Sequence, residues 1–482
     1  MKEFLIADLA GIVKANPVVF ETAIRDTQDT RRNFTGVSTD SRSTKAGDCF
    51  FAIPGENFDG HDYVADAFAK GAVCAVVSKD IDGEKSAGKC LLKVEDTIRA
   101  LGELAREYRQ QAGYKVVAIT GSAGKTTTRQ IIFHALSRRF RVHQSPKSFN
   151  NQIGLPLTLL GAAADDQIVI AELGSNHPGE ISYLTRIAEP DIAVVTNVHP
   201  AHLEGFGDLQ TIIQEKSSIS EGLRSDGVLI INGDFDRLVD ACRAGGLKFI
   251  TFGKSDGCDY RAGNIRPDGS ASRFTIDGTE VYLPLAGPGN IENALAAWSV
   301  CSQFGLTIDD FTQALETLSP VSMRTELLQI GTLTVLSDCY NANPASMRNA
   351  LEILASLNPT GQRREVFICG DMAELGGQTE RLHAELGTSI AQAGVQLLLA
   401  VGKFAKIAAQ AAQENADNYL EIKCFEDTVS AYNNLHEFIK DYDIVLVKGS
   451  RVAKLEMLVE KLNELFSQSV SREARSEMRE PR

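Results

Sequence analysis

The feature that most constrains the fold is a repeated alternation of short apolar strands with helices in the middle of the chain. The predicted strands are rich in β-branched residues: VVAIT at 116–120, IVIAEL at 168–173, IAVVTN at 192–197 and VLIIN at 228–232. Near-continuous apolar strands separated by helices are typical of a parallel sheet covered by helices on both faces. Ligands of such sheets bind at the carboxyl ends of the strands.

The first of these strands leads directly into a glycine loop that is suited to phosphate binding. The loop consists of Gly121, Ser122, Ala123, Gly124, Lys125, Thr126 and Thr127. Its glycines let backbone N–H groups turn towards an anion, its lysine supplies a positive charge, and the hydroxyl of Thr126 can bind magnesium at the helix start. The loop is shortened, because Ile119 stands where the usual first glycine would fall. The flanking strand and helix favour a nucleotide site over a plain turn.

Length and composition describe a multidomain protein of ordinary polarity. The 482 residues exceed the size of one compact core and predict about three domains. The formal net charge is -14 and no basic stripe is present, so we expect no nucleic-acid partner. No apolar run reaches the length of about 18 residues that a membrane-spanning helix needs, and no cleavable leader is recognisable. Nine scattered cysteines without metal-binding spacing suit a reducing compartment, and we expect a cytoplasmic location.

The order of the elements predicts an α/β protein of three domains. A small N-terminal α/β domain (1–102) precedes a central parallel-sheet domain with the phosphate loop (103–320) and a C-terminal Rossmann-like domain (321–466). The strands of the last domain are LTVLSD, VFICGD, LLLAVG and IVLVKGS. A polar, glycine-rich stretch at 256–285 predicts hairpins, and the polar tail at 467–482 predicts disorder.

Three side chains follow central strands at their carboxyl ends. Glu172 ends the strand IVIAE, so its carboxylate is expected on the same sheet edge as the phosphate loop, where it can bind magnesium. His199 and His202 follow the next strand. The two histidines could orient a phosphate group, or they could simply be exposed to solvent. A zinc site is not expected, because no cysteine or further histidine lies nearby.

Lys216 lies at a core-facing position of the next predicted helix. The apolar stripe of that helix consists of Leu209, Ile212, Ile213, Ile219 and Leu223, and Lys216 shares its spacing. A buried ammonium tends to lose its proton, which leaves an amine that can react or be modified. The alternative is that the side chain extends along the stripe and places its charge in solvent.

In order and spacing these segments resemble the Mur ligases, ATP-dependent amide-forming enzymes of bacterial cell-wall synthesis, over nearly the whole chain. The resemblance is carried by TGSAGKTTT, SFNNQIGLPLTLL, AELGSNHPGEI, TNVHPAHLEGFG, EKSSI and, at the front, VSTDSRSTKAGDCFFAIPGENFDGHDYV. The front segment is similar to the uridine-nucleotide domain of the two later ligases of that pathway. Folylpolyglutamate synthetases share the ATP-binding core but lack such a domain.

Within the family, DCYNANPASMRNAL and GDMAELG are similar to the branch that joins D-alanyl-D-alanine to UDP-N-acetylmuramoyl-tripeptide. The resemblance implies an ATP-dependent acid–D-amino-acid ligase of peptidoglycan precursor synthesis that forms UDP-muramoyl-pentapeptide, ADP and phosphate through an acyl phosphate. Residues 1–102 would bind the UDP-muramoyl substrate, 103–320 would bind ATP, and 321–466 would bind the dipeptide. A sister ligase that adds a diamino acid and a non-catalytic nucleotide-binding regulator are the alternatives. We expect a monomer.

The resemblance also implies the ligands of two Mg²⁺ ions. Thr126 and Glu172 would hold one ion, and Glu172, His202 and Lys216 would hold the other. In the family the lysine that matches Lys216 is carbamylated by CO₂, which makes it an anionic metal ligand and accounts for its burial. Lys125 and the loop amides would hold the ATP phosphates.

Further nucleotide contacts are implied by matching positions elsewhere. Arg324 would reach the γ-phosphate, Asp338 the ribose, and Asn293 the adenine. The chain departs from the family at Gly289, where histidine usually precedes the first asparagine of GNIENALAA. A ring contact from that position is therefore absent or replaced.

The substrate positions implied by the resemblance come from all three domains. They are Thr39 and Ser41 for uridine, with Glu56 and Asn57 as weaker candidates, Asn150 and Asn151 near the muramoyl peptide, and Asn341, Asn343 and Pro344 for D-alanyl-D-alanine. An ordinary asparagine-rich turn is the alternative for the last group.

Overall fold

The computed structural model describes residues 3–18, 33–81, 89–416 and 419–467. Among the described residues, successive parts of the chain build three main sheets with helices packed on them and one two-stranded sheet, so the predicted three-domain α/β fold class is confirmed. Among the described residues, no helix is both long and apolar enough to span a membrane. The tail predicted at 467–482 lies outside the described residues, except for its first residue.

The N-terminal domain is built on a mostly parallel sheet. Its strands are Phe4–Leu5 (β1), Asn16–Val18 (β2), Asn33–Phe34 (β3), Gly36–Ser38 (β4), Asp48–Phe51 (β5), Cys74–Val77 (β6) and Cys90–Lys93 (β7), and its helices are Ile6–Ile12 (α1) and Val64–Ala69 (α2). The sheet order is β2-β7-β6-β5-β4, and β1 pairs separately with β3. Strands β5 and β6 are buried along their whole length, because their apolar runs lie in the middle of this sheet.

One helix, Thr97–Ala112 (α3), connects the first two domains. It begins at Asp96, whose carboxylate accepts hydrogen bonds from the N–H groups of two first-turn residues, and it ends at Gly113 in the left-handed conformation. Near its end the buried guanidinium of Arg109 donates to Asp191 over 2.7 Å. The predicted boundary between residues 102 and 103 falls inside this continuous helix and stays a prediction.

The central domain has a parallel sheet extended by antiparallel hairpins. Its strands are Lys115–Thr120 (β8), Val142–Gln144 (β9), Ile168–Glu172 (β10), Ile192–Val195 (β11), Val228–Asn232 (β12), Phe249–Gly253 (β13), Tyr260–Asp268 (β14), Ala271–Ile276 (β15) and Thr279–Leu283 (β16). The order is β16-β15-β14-β13-β12-β11-β8-β10-β9, with antiparallel pairs only at β14 to β16, as predicted for 256–285. Ile119 is in register with Glu172, and Thr120 with Val195, so the functional loops leave one edge.

Helices cover both faces of the central sheet. They are Lys125–Leu136 (α4), Gly154–Gly161 (α5), Glu180–Ala188 (α6), Leu203–Phe206 (α7), Leu209–Ser217 (α8), Asp236–Ala244 (α9), Pro288–Gln303 (α10) and Ile308–Leu315 (α11). Helix α4 follows the phosphate loop and packs against the mostly buried α10. Helix α8 carries Lys216 on its buried side, which confirms the predicted core-facing position.

The C-terminal domain repeats the alternation of strands and helices. Its strands are Glu326–Ile330 (β17), Leu333–Ser337 (β18), Glu365–Gly370 (β19), Leu397–Val401 (β20), Glu421–Phe425 (β21) and Ile444–Lys448 (β22), and its helices are Pro344–Ser356 (α12), Thr379–Gln392 (α13), Ala405–Asn415 (α14), Thr428–Asn434 (α15) and Glu456–Phe466 (α16). The order is β17-β18-β22-β19-β20-β21, and every pair except β17 with β18 is parallel. The carboxyl ends of β18 and β22 face the central domain's phosphate loop across a cavity.

Candidate active site

A cavity of about 880 Å³ lies between the carboxyl edges of the central and C-terminal sheets. The predicted site residues that line it are Ser122, Ala123, Gly124, Lys125, Thr126, Thr127, Asn150, Asn151, Glu172, His202, Asn293, Arg324, Asp338, Asn341 and Asn343. The structure therefore brings the residues predicted to bind the nucleotide and those predicted to bind the acceptor into one cavity. It places seven predicted residues outside the lining of this cavity: Thr39, Ser41, Glu56, Asn57, Gly121, Lys216 and Pro344.

The phosphate loop requires glycine at two positions because other groups approach the backbone closely. Gly121 has a φ of 142°, and a Cβ there would lie 2.0 Å from the hydroxyl oxygen of Thr196. Gly124 has a φ of 81°, and its Cβ would lie 2.1 Å from the amide oxygen of Asn293. Side chains at either position would be strained as well as crowded. The shortened loop is thus shaped by contacts with the segment that follows β11 and with α10.

Lys125 is the half-buried cation of this loop. Its Nζ donates a 2.6 Å hydrogen bond to the carbonyl oxygen of Gly121. Burial lowers the pKa of Lys125 to about 8, while the charge of Glu172 acts in the opposite direction. A cation that burial destabilises in this way is well placed to bind an anion.

Glu172 is almost fully buried, with 1% of its surface exposed. Its Oε2 accepts a 3.2 Å hydrogen bond from the hydroxyl of Thr126, and its Oε1 lies 3.1 Å from Nη1 of Arg129. Oε1 nevertheless has no hydrogen-bond partner. A buried carboxylate oxygen without a hydrogen bond, beside a hydroxyl, suits a hard cation such as Mg²⁺.

Lys216 is 2% exposed, which rules out an extended side chain with its charge in solvent. Its Nζ donates a 2.7 Å hydrogen bond to the hydroxyl of Ser175 and lies 5.5 Å from the ring centre of Phe206. Burial, followed by the charge of Lys125, lowers the pKa of Lys216 to about 7. A substantial fraction of neutral amine is therefore present near neutral pH, and this is the form that reacts with CO₂.

His202 lines the cavity from the N-terminal side of α7, and His199 lies on the loop before it. The ring of His199 packs edge-on against Phe235 at 4.7 Å, and burial lowers its pKa to about 4. Burial also lowers the pKa of His202, against the opposing effect of Glu374. Both rings are therefore expected to be neutral near neutral pH, as metal binding by an imidazole requires.

Without modification of Lys216, the side chains at the cavity supply only part of the ligand set that a magnesium ion needs. Among the described residues, no group of three or more His, Cys, Asp and Glu side chains is placed to hold a metal ion. Thr126, Glu172 and His202 provide two oxygen ligands and one nitrogen ligand at the cavity wall. A carbamate on Lys216 would add the anionic oxygens that an amine lacks.

The C-terminal domain contributes an arginine held by an aromatic ring. The guanidinium carbon of Arg324 lies 4.0 Å from the ring centre of Tyr340. The hydroxyl of Tyr340 in turn makes a short hydrogen bond to the hydroxyl of Ser148 in the central domain. The ring thus stacks on one cavity residue while its hydroxyl bridges the two domains.

Asp338 is held by a buried lysine that the sequence analysis did not single out. Nζ of Lys448 donates to Oδ2 of Asp338 over 2.5 Å and to the carbonyl oxygen of Asn341 over 3.1 Å. The backbone N–H of Thr325 donates to Oδ1 of Asp338 over 3.0 Å. The carboxylate is therefore fixed at the cavity wall.

Gly289, where the family pattern has histidine, faces Asn349 of the C-terminal domain. The backbone N–H of Gly289 donates to Oδ1 of Asn349 over 3.0 Å, and a Cβ on Gly289 would lie 2.9 Å from that oxygen. An amide from the neighbouring domain therefore occupies the space beside this position. Nearby, Asn293 accepts a 3.2 Å hydrogen bond from the hydroxyl of Thr128.

Several predicted substrate residues have structural partners. Asn343 caps α12, since its Oδ1 accepts from the N–H of Ser346 over 2.9 Å. Asn151 accepts from the N–H of Gly154 at the start of α5 over 2.9 Å. These asparagines shape their loops as well as line the cavity, and their contacts with substrate stay predictions.

The uridine positions lie in the N-terminal domain, away from this cavity. Thr39 is partly buried and Ser41 is buried just after β4, while Glu56 and Asn57 are exposed on the loop after β5. Their roles stay predictions.

Among the residues at or near the cavity that the sequence analysis did not single out are Arg129, Asn197, Tyr340 and Lys448. Asn197 accepts a 2.9 Å hydrogen bond from the N–H of Ala123 in the phosphate loop. Lys448 had a usable signal, because it ends an apolar strand just as Glu172 does. Tyr340 and Arg129 had none, since their contacts are with distant segments of the chain.

Comparisons with known proteins match all three domains. Three family models fit the chain: "Mur ligase family, catalytic domain" at 33–109, "Mur ligase middle domain" at 119–301 and "Mur ligase, glutamate ligase domain" at 323–451. A UDP-N-acetylmuramoyl-tripeptide–D-alanyl-D-alanine ligase from Bacillus subtilis (strain 168) is 34% identical over 95% of this chain and 97% of its own length. The chain belongs to the Mur ligase family.

Solved Mur ligases share the whole architecture. MurF from Acinetobacter baumannii superposes with a TM-score of 0.87 at 31% identity, covering 96% of this chain and 99% of that chain. MurF from Thermotoga maritima, solved in complex with ADP, gives a TM-score of 0.79 at 26% identity, covering 92% of this chain and all of that chain.

Proposed function

We propose that this Mur ligase joins D-alanyl-D-alanine to UDP-N-acetylmuramoyl-tripeptide at the expense of ATP. The observation that carries the proposal is one cavity lined by the phosphate loop, Glu172 and His202 from the central domain and by Arg324 and Asp338 from the C-terminal domain. The similarity to the Bacillus subtilis ligase along nearly the full chain supports the choice of substrates.

The chemistry must first activate a carboxylate, because a carboxylate does not react with an amine at neutral pH. The terminal carboxylate of the tripeptide attacks the γ-phosphorus of ATP, and the bond to the ADP oxygen breaks, giving an acyl phosphate and ADP. The amine of D-alanyl-D-alanine then attacks the acyl carbon. The tetrahedral intermediate loses phosphate, and the amine proton leaves to solvent or a nearby base.

The residues of the cavity have separate tasks in this scheme. Lys125 and Arg324, which line the cavity, would neutralise charge on the transferred phosphoryl group, and Asp338, which accepts from Lys448, would bind the ribose hydroxyls. Thr126, Glu172, His202 and carbamylated Lys216 would hold two Mg²⁺ ions, which supply charge neutralisation for the phosphates when bound. The complex of the Thermotoga maritima relative with ADP supports nucleotide binding in this family.

The two domains must stay together while the acyl phosphate exists, because water would hydrolyse it. Residues of both domains line the cavity, so the two domains together would shield the reacting groups from water. We further propose that the enzyme works as a monomer in the cytoplasm, where its nucleotide substrates occur.

Phosphate release by the purified full chain tests the proposal. With ATP and Mg²⁺ present, we expect release to depend on both UDP-tripeptide and D-alanyl-D-alanine, and a diamino acid or D-glutamate should not replace the dipeptide. Parallel assays with L-lysine and meso-diaminopimelate tripeptides will identify the preferred donor. Release without any need for D-alanyl-D-alanine would contradict the proposal.

A further inference from the structure

A contact between His202 and Glu374 joins the central and C-terminal domains at the edge of the cavity. Nδ1 of His202 makes a short hydrogen bond to the carboxylate of Glu374, which lies on the loop after β19. In the same place the backbone N–H of Glu204 donates to the carbonyl oxygen of Glu374 over 3.1 Å. The loop is therefore docked on the start of α7 by both backbone and side chain.

Both residues of this contact adopt a backbone conformation that favours glycine. The φ angle is 52° at His202 and 61° at Glu374. Each such conformation costs about 1–3 kcal/mol and is found mainly where the surrounding structure needs it. Two strained residues in direct contact across a domain boundary indicate that the arrangement serves a site.

The loop that carries Glu374 is held firmly by its own domain. Asp371 accepts hydrogen bonds from the N–H groups of Phe404 and Ala405 over 2.9 and 2.6 Å. The buried ring of His383 accepts from the N–H of Met372 over 3.0 Å. The backbone that leads to Glu374 is therefore anchored within the C-terminal domain.

His202 has its two ring nitrogens in different surroundings. It lines the cavity, whereas Glu374 does not, so the carboxylate approaches the ring from outside the site. A neutral ring that donates from Nδ1 to a carboxylate has its lone pair on Nε2. A carboxylate or carbonyl behind a metal-binding histidine commonly fixes its tautomer and orientation.

We propose that Glu374 is a positioning residue that fixes the ring of His202 with the Nε2 lone pair available to a divalent cation in the cavity. Docking of the C-terminal domain thereby completes the cation site. The inference rests on the proposed role of His202 as a magnesium ligand. It assigns a task to the GDMAELG segment that does not involve contact with substrate.

Mn²⁺ binding provides a test that does not depend on turnover. The full chain is titrated with Mn²⁺ in the presence of a non-hydrolysable ATP analogue, and free Mn²⁺ is followed by electron paramagnetic resonance. The variants are Glu374→Ala, Glu374→Gln and His202→Ala. Glu380→Ala is the matched control, because Glu380 is an exposed carboxylate on the first turn of α13 and does not line the cavity.

We expect Glu374→Ala to weaken Mn²⁺ binding by about 10- to 100-fold. Glu374→Gln should keep most of the affinity, since its amide oxygen still accepts from Nδ1. The double variant with His202→Ala should bind no more weakly than His202→Ala alone. Nitrogen-15 spectra of histidine-labelled protein should show an Nδ1–H tautomer for His202 in the natural chain and a mixture in Glu374→Ala.

Other outcomes would overturn the inference. Unchanged Mn²⁺ affinity in Glu374→Ala, with weaker binding in His202→Ala, would remove the role of Glu374 and leave the ligase proposal intact. Unchanged affinity in both variants would remove His202 from the cation site. Failure of the proposed function would show in a different measurement, because the natural chain would then form no UDP-pentapeptide.

Discussion

Nζ of Lys216 donates a 2.7 Å hydrogen bond to the hydroxyl of Ser175, and Ser175 lines the cavity from which Lys216 is screened. The unmodified amine therefore lies one side chain behind the cavity wall. Addition of CO₂ would lengthen the side chain by a carboxylate group and displace this contact. Loss of the hydrogen bond between Lys216 and Ser175 would therefore accompany the proposed modification.

Carbamylation should depend on pH because only the neutral amine reacts with CO₂. The pKa of Lys216 is lowered to about 7, so the neutral fraction grows as the pH rises through that value. After removal of CO₂, recovery of activity on adding bicarbonate should be faster at about pH 8 than at about pH 6. Carbon-13 spectra with labelled bicarbonate should show a carbamate signal whose growth follows the activity. Full activity in rigorously CO₂-free buffer would contradict the modification.

Under the proposed carbamylation, replacement of Lys216 by alanine removes an anionic group from the candidate phosphoryl-transfer site. We expect kcat to fall by at least about 10²- to 10³-fold, the usual effect of removing one charge-stabilising group. The carbamate signal should disappear with it. Lys248→Ala, at an exposed lysine of the same domain, is the control and should retain both activity and signal.

Two variants of Tyr340 separate its ring from its hydroxyl. Tyr340→Phe keeps the ring 4.0 Å from the Arg324 guanidinium and loses only the contact to Ser148, whereas Tyr340→Ala loses both. A cation–π contact contributes about 0.5–2 kcal/mol, so kcat/KM for ATP should fall about 2- to 30-fold more in Tyr340→Ala than in Tyr340→Phe. Steady-state kinetics at saturating dipeptide measures the difference. Equal kinetics in the two variants would show that the ring does not position Arg324.

Lys448→Met should destabilise the C-terminal domain. Lys448 is 1% exposed, and its loss leaves the carboxylate of Asp338 buried without its cation. Removing one partner of a buried ion pair costs about 3–5 kcal/mol of unfolding free energy. Urea denaturation measures the loss, with Lys406→Met at an exposed position of α14 as the control. A change as small as that of the control would mean that Asp338 is satisfied by Thr325 alone.

Short-range patterns in the sequence were enough to predict the central strands, the burial of Lys216 and the position of Glu172. The β-branched runs gave β8, β10, β11 and β12, because continuous apolar strands bury both faces of a parallel sheet. Helical spacing placed Lys216 in the core, because residues three, four and seven positions apart lie on the same face of a helix. Glu172 followed from its place at the end of a strand.

The rest of the candidate site depends on packing between distant segments. Glu374 meets His202, Tyr340 meets Ser148, and Asn349 meets Gly289 only because two domains dock. No spacing within either segment encodes such a contact. Helix α3 was itself predicted, from Thr97 to Gln110, and its packing on both neighbouring domains leaves the boundary placed at residue 102 a prediction.

Oxygen-18 in the terminal carboxylate of UDP-tripeptide tests the central claim most directly. If the carboxylate attacks ATP and the acyl phosphate is then opened by the amine, one labelled oxygen must pass to the released phosphate. We expect one oxygen-18 atom per phosphate by mass spectrometry, together with UDP-pentapeptide in equal amount, when ATP, Mg²⁺ and D-alanyl-D-alanine are all present. Unlabelled phosphate, or labelled phosphate without pentapeptide, would contradict it.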